Sequence, residues 1–175
     1  MPGSFRATGV EWIDPVDEST FNALYAEIAK PLWKYVARVS GRSDVADDVL
    51  QEAFYRFLRS SRAGLSALET RLYLFRIATN LLKDRWRRSE ETVGLEAEEG
   101  IEQNHPEIAL DAEWVLKQLK PRARELLWLA YVEGMSHSEI ARVTGLKALS
   151  VRILLLRARR EARSYLEPKG DTGGK

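Results

Sequence analysis

The 175-residue chain contains no cysteine, which excludes a disulfide scaffold, a thiol switch within this chain and cysteine-based metal sites. Histidine is scarce: only His105 and His137 are present, and no glycine-rich phosphate loop is apparent. An enzyme built on Asp48, Glu52 and a histidine as a metal or acid–base site therefore has little to draw on, and neither catalytic residues nor a metal or other cofactor is expected. No apolar run approaches the length of a membrane span, and the opening MPGSFRATGVEWIDP lacks a signal-peptide core, so no membrane insertion and a cytoplasmic location are expected. An excess of one charge sign is also missing, with Lys plus Arg at 27 and Asp plus Glu at 26. That balance hides segregation: basic residues cluster in Arg71 to Arg88 and Lys147 to Arg163, whereas Ser89 to Glu113 is acidic and has no Lys or Arg. Placement of charge is thus more informative than its total. At 45 % hydrophobic and 30 % charged residues, the chain has the balance of one globular domain or two small ones.

The stretch from Lys120 to Tyr165 carries the clearest pattern. Pro121 fits the first turn of a helix with Leu126, Leu127, Ala130 and Tyr131 at helical spacing, and Gly134 follows its end. Ser136 and Glu139 then stand at capping-box spacing, flanked by Met135 and Ile140 as a hydrophobic staple, so a short helix starts at His137 and stops at Thr144-Gly145. A third helix from about Ala148 to Leu166 puts Val151, Leu155, Ala158 and Ala162 on one face and Arg152, Arg159, Arg160 and Arg163 largely off it. Short helix, glycine-containing turn and basic helix is the order used by major-groove readers. A plain three-helix packing unit solvated by its arginines is the alternative.

Upstream, residues 1–18 lack a sustained period and read as a flexible extension. Phe21, Leu24, Ile28, Leu32, Tyr35 and Val39 form the stripe of an amphipathic helix, in which Pro31 predicts a kink or a break near Ala29 to Lys30, with an end at Gly41. Ser43 is placed to cap a second helix whose core stripe is Ala46, Val49, Leu50, Ala53 and Phe57. Beside that stripe Asp47, Asp48, Gln51 and Glu52 make a compact acidic and amide patch, either a docking face for a basic partner or a solvated surface. Ser60 to Ser66 is a loop, and Ser66 with Glu69 opens a third helix to about Arg88. Leu68, Leu72, Phe75, Ala78, Leu82 and Trp86 mark its buried side. Its other faces mix Arg71, Arg76, Asn80, Lys83, Arg85, Arg87 and Arg88 with Tyr73 and Trp86, suited to phosphate contacts and base stacking, although a basic helix end is also favoured by the helix dipole. Residues 89–106 read as an acidic linker, Glu107 to Leu119 as a helix with Ile108, Ala112, Val115 and Leu119 inward, and 168–175 as a disordered tail.

The runs DVADDVLQEAFYRFLR (Asp44 to Arg59), RLYLFRIATNLLKDRWRR (Arg71 to Arg88) and LKPRARELLWLAYVEGMSHSEIARVTGL (Leu119 to Leu146) resemble the two modules of bacterial ECF (extracytoplasmic-function) sigma factors, the promoter-specificity subunits of RNA polymerase. The resemblance implies an all-α fold of two small helical modules: region 2 over residues 19–88, and a region 4 helix-turn-helix over 107–167, joined by the acidic linker. It implies core RNA polymerase, through its clamp helices and flap, and promoter DNA as partners, with an anti-sigma factor as a possible third. By position, Asp47, Asp48, Gln51 and Glu52 take the core-polymerase role. The loop matching Ser60 to Ser66, with Arg62, takes a flipped base of the minus-10 element, at a cost of a few kcal/mol that enclosing groups must offset. Asn80, Lys83, Asp84, Arg87 and Arg88 take the contacts to the opened strand, and the linker the path through the polymerase active-site and RNA-exit region.

The last helix departs from the family pattern. Lys147 stands where a small polar cap is usual, and Leu154 and Leu156 where basic or polar side chains are frequent. That weakens the expectation of minus-35 reading and leaves Lys147, Ser150, Arg152, Arg157 and Arg159 as its candidates. The apolar run Ile153 to Leu156 is either an exposed patch that meets a partner or part of a thicker core. A stand-alone helix-turn-helix regulator remains the alternative function, distinguished by having no need of the first module.

Overall fold

The computed structural model describes residues 18–60, 64–91 and 107–166, with side chains described outside 89–91 and 107–111. The expected extension, linker and tail lie essentially outside these residues. Among the described residues there are helices and no strands, and no helix is long and apolar enough to cross a membrane. The helices are α1 (Glu18–Ser40), α2 (Ser43–Arg59), α3 (Ala67–Glu91), α4 (Glu107–Gln118), α5 (Pro121–Tyr131), α6 (His137–Thr144) and α7 (Ala148–Leu166).

Helices α1, α2 and α3 pack mutually, burying Leu32, Tyr35 and Val36 of α1, Ala46, Val49 and Ala53 of α2, and Leu72, Phe75 and Leu82 of α3. Helices α4, α5 and α6 gather round α7, with Leu126, Leu129, Ile140, Val143, Val151 and Leu155 inside. Both buried stripes keep helical spacing. α3 also packs on α6, and α1 on α5, so the two helical groups share one buried core.

The helix starts follow the expected chemistry at two positions. Ser66 Oγ accepts from the Glu69 amide at 3.3 Å while the Glu69 carboxylate accepts from the Ser66 amide at 2.9 Å. Ser136 and Glu139 repeat this capping box at α6, and Met135 and Ile140 beside them are buried. Gly145 ends α6 at φ +74°, a left-handed conformation that a side chain would strain.

Several expectations need correction. α1 runs through Pro31 without a break; Glu27, whose carbonyl the ring leaves without its usual donor, is on the exposed side, where water can serve it. Arg42, not Ser43, is the N-cap of α2. It gives no side-chain cap; instead its guanidinium bonds Asp44 in the first turn and holds that carboxyl below the usual range. Leu68 and Tyr131, the first and last residues of their expected stripes, are exposed, as is Ala112 on α4. Leu74, Ile77 and Leu81 are buried in addition to the expected face of α3, since α1, α2 and α6 all pack on this helix.

The seam between the helical groups is rich in polar contacts. Tyr35 donates to Glu125 at 3.3 Å and bonds Thr79 at 2.7 Å, all three buried, and Arg122 pairs with the same carboxylate. Burial, with Glu125 beside it, pushes the Tyr35 phenol well above its ordinary pKa. Arg124 donates to the carbonyls of Arg38 and Val39 at the end of α1 and to those of Leu116, Lys117 and Leu119 at the end of α4. One guanidinium thereby satisfies carbonyls that two helix ends leave without intrahelical donors. Arg38 pairs with Glu113, and Arg71 donates to the Glu133 carboxylate at 2.8 Å.

Candidate polymerase and nucleic-acid interfaces

The acidic face of α2 is built by its core stripe: with Ala46, Val49, Ala53 and Phe57 turned inward, Asp47, Asp48 and Gln51 are exposed and Glu52 is half-buried at the surface. Trp33 of α1 donates its indole N–H to Asp47 at 2.7 Å, Arg85 of α3 reaches Asp48 at 3.2 Å, and Arg56 meets Glu52 at 2.6 Å. The carboxylates are therefore oriented by neighbours yet remain open to solvent. Tyr55, one turn beyond Gln51, extends the same face and is 53 % exposed, with Arg59 donating to its hydroxyl at 2.7 Å. Tyr55 escaped the sequence reading, although its i+4 spacing from Gln51 was the available signal.

On α3, Asn80, Asp84, Arg87 and Arg88 lie along one side of the helix at 3.6 residues per turn. Asn80, Arg87 and Arg88 are exposed, and Arg87 pairs with Asp84 at 2.9 Å. Tyr73 and Arg76 continue this strip toward Leu65 and line a cavity of about 130 Å³ together with Glu69, Leu72 and Arg142. Arg62 lies outside the described residues. Lys83 and Arg71 do not face solvent as basic contacts should. Lys83 donates to the Thr144 carbonyl at the end of α6, and burial pulls its pKa down; Arg71 is engaged by Glu133. Trp86 is half-buried on the core side, away from the strip. The reason is the packing of α6 on α3, which periodicity within α3 does not reveal.

In the helix-turn-helix, α6 and α7 pack on each other and on α5. Lys147, Arg152, Arg157 and Arg159 are exposed and Ser150 is half-buried. They do not form one cluster: helical geometry puts Ser150 and Arg157 on one flank of α7 and Arg152 and Arg159 on the other. Between the flanks run Leu149, Ile153 and Leu156, 69, 45 and 44 % exposed, with Arg160 among them. The run Ile153 to Leu156 is thus split, since Leu155 is buried, Leu154 packs against the core, and the other two face solvent. Arg160 lies off the core face as its spacing predicts, whereas Leu149, one turn before Ile153, joins the ridge through the i, i+4, i+7 spacing that the consecutive run Ile153 to Leu156 obscures.

The Sigma-70 region 2 profile matches residues 24–92, and the Sigma-70, region 4 profile matches residues 115–161. The ECF RNA polymerase sigma factor SigL of Mycobacterium tuberculosis is 32 % identical over 89 % of this chain and 94 % of its own length. SigE of Mycolicibacterium smegmatis, an ECF RNA polymerase sigma factor, is 30 % identical over 91 % of this chain and 72 % of its own. The chain belongs to the ECF RNA polymerase sigma factors. Among solved structures, CnrH in complex with the cytosolic domain of CnrY superimposes with a TM-score of 0.61 at 27 % identity, covering 86 % of this chain and 89 % of CnrH. The sigma factor RpoE from Bartonella quintana, in complex with the anti-sigma factor NepR, shares the fold at a TM-score of 0.67 and 19 % identity, covering 85 % of this chain and 98 % of RpoE. Within this sigma factor the acidic α2 face and the α3 strip fall in the region 2 match, and Lys147 to Arg159 fall in the region 4 match.

Proposed function

We propose that this alternative sigma factor binds core RNA polymerase through the α2 face of Asp47, Asp48, Gln51 and Glu52, and directs promoter recognition, melting and initiation. The minus-10 strand runs along Asn80, Lys83, Asp84, Arg87 and Arg88, with Arg62 contributed by the neighbouring loop. The minus-35 element is read by Lys147, Ser150, Arg152, Arg157 and Arg159, between which Leu149 and Ile153 offer the kind of apolar surface that meets thymine methyl groups. The chain carries out no covalent chemistry, and it acts where the polymerase and chromosome are, in the cytoplasm. The complex of RpoE with the anti-sigma factor NepR, and that of CnrH with the cytosolic domain of CnrY, support an anti-sigma partner for this chain as well.

The observation that carries this reading is the pairing, in one chain, of a capped helix-turn-helix with a region 2 bundle whose acidic α2 face is exposed. A stand-alone regulator has no use for that face. The test is binding measured two ways: a stoichiometric complex with core polymerase, and only weak binding to promoter duplex without polymerase. Tight duplex binding with no polymerase complex would support the regulator instead.

A further inference from the structure

On α7 an apolar row is turned away from the core. Leu149, Ile153 and Leu156, all exposed, follow one another at i, i+4 and i+7, with Arg160 next in the row. At about 100° per residue this row lies opposite the face of Val151, Leu155 and Ala158, which is buried. Arg152 and Arg159 stand on one flank of the row, Ser150 and Arg157 on the other. Arg152, Arg157 and Arg160 take part in none of the ion pairs formed among the described residues. From Lys147 to Arg160 the chain has no Asp or Glu.

Charge on both flanks decides what covers this row. The major groove of B-DNA is about 12 Å wide between two phosphate backbones and admits a helix about 10–12 Å across. The flanking arginines then meet phosphates while the row between them meets base edges. Leucine and isoleucine side chains have no donor or acceptor. Laid against guanine, cytosine or adenine, they strip water from a polar edge and return no hydrogen bond, which is costly. Thymine alone presents a methyl group there. Leu149 and Ile153 are separated by about 6 Å along the helix axis at 1.5 Å per residue, close to two base-pair steps of about 3.4 Å each. They also lie in the N-terminal half of α7, the part of a recognition helix that reaches bases.

We infer that Leu149 and Ile153 determine specificity by recognising the 5-methyl groups of two thymines, about two base-pair steps apart, in the minus-35 element. This rests on the reading of α7 as the minus-35 helix. At those two positions the sequence is selected by apolar contact and not by side-chain hydrogen bonds. Labour on α7 is divided accordingly. The arginines on the flanks supply affinity and its salt dependence, which phosphates give to any sequence, and the two apolar side chains choose among sequences. Leu156 and Arg160 lie further along the row, where the helix leaves the bases and Arg160 turns to the backbone.

The probe is duplex promoter DNA with a randomised minus-35 window, transcribed by core polymerase together with the full chain. Selected templates are expected to share two thymines at the stated separation. Deoxyuridine in place of either one removes the methyl group and leaves every hydrogen-bonding group. That exchange in the best template should weaken binding of the polymerase–sigma complex about fourfold, the worth of one buried methylene-sized group. In Leu149→Ala and in Ile153→Ala, each checked for folding by circular dichroism, the same exchange should make no difference at one of the two positions, with the salt slope unaltered. A selected minus-35 sequence that lacks such thymines or is indifferent to uracil, or a uracil effect undiminished in both alanine variants, overturns the methyl contact and leaves α7 as the minus-35 helix. If no sequence is selected in the window and Arg152→Ala and Arg157→Ala leave promoter binding unchanged, the reading of α7 itself is overturned. A dimer of the free chain that Ile153→Asp breaks, together with indifference to uracil, gives the row to a second copy and overturns the inference.

Discussion

Arg85 of α3 holds Asp48 of α2 at 3.2 Å across the surface of region 2. Both side chains are well exposed, at 42 and 67 %, so the pair contributes at most about 1 kcal/mol to folding. Its consequence lies in the fixed direction of the carboxylate, which a basic partner can capture without having to order it. Reversing Asp48 and Glu52 to lysine should weaken core-polymerase binding about tenfold or more, roughly 1.4 kcal/mol, with helix content unchanged by circular dichroism. Equal affinity of the variant and wild type removes the α2 docking assignment.

Arg87 and Arg88 end the basic strip, and Arg87 is steered by Asp84 at 2.9 Å. If each arginine meets a phosphate, replacing both with alanine lowers the salt slope of promoter-strand binding by about 2 and slows promoter opening. Measuring opening at low and high salt decides it: no change at either concentration makes these arginines a solvated helix end.

Ser136 and Glu139 set the entry to α6. The side chain and backbone of Ser136 hold the Glu139 carboxyl below the usual glutamate range. A depressed folded pKa gives stabilisation that is present above the unfolded value, about 4.3, and is lost as pH falls through the folded value. Ser136→Ala should cost about 1 kcal/mol near neutral pH. Glu139→Gln should remove the part of the acid sensitivity that this carboxylate supplies. Chemical denaturation at neutral and acidic pH measures both, and an unaltered acid profile in Glu139→Gln contradicts the cap's share.

The Tyr35 phenol supplies the opposite pH dependence. Its folded pKa is raised by burial and by Glu125, so above the unfolded value near 10 the folded chain holds more protons than the unfolded one, and stability falls as pH rises. Tyr35→Phe should cost about 1–3 kcal/mol at neutral pH, because it leaves Thr79 and Glu125 short of a partner in a buried site, and should flatten the alkaline loss. An alkaline unfolding profile identical to that of the wild type would contradict this role.

Much of this architecture could be read from residue spacing. The two capping boxes, Pro121 at a helix start and the stripe Val151, Leu155, Ala158 are local signals, each complete within one or two turns. What spacing could not reveal depends on neighbours distant in the chain. Lys83 and Arg71 look like solvent-facing cations on α3 until α6 arrives beside them. Glu125, read along α5 alone, is an ordinary charged position, yet it is buried against Tyr35 from a helix roughly ninety residues away. Leu149, Ile153 and Leu156 form a ridge only when α7 is wound up, which a linear reading of the consecutive run Ile153 to Leu156 obscured. The candidate site residues were recognisable as types; which of them are free and which are engaged is tertiary information.

Promoter-directed transcription tests the central claim most directly. Core polymerase from the source organism is supplied with a genomic fragment library, with and without this chain, and transcript starts are mapped. The account predicts starts downstream of a shared two-part motif only when the chain is present, and their loss with the Asp48 and Glu52 reversal. Core binding or duplex binding without any chain-dependent start would contradict it.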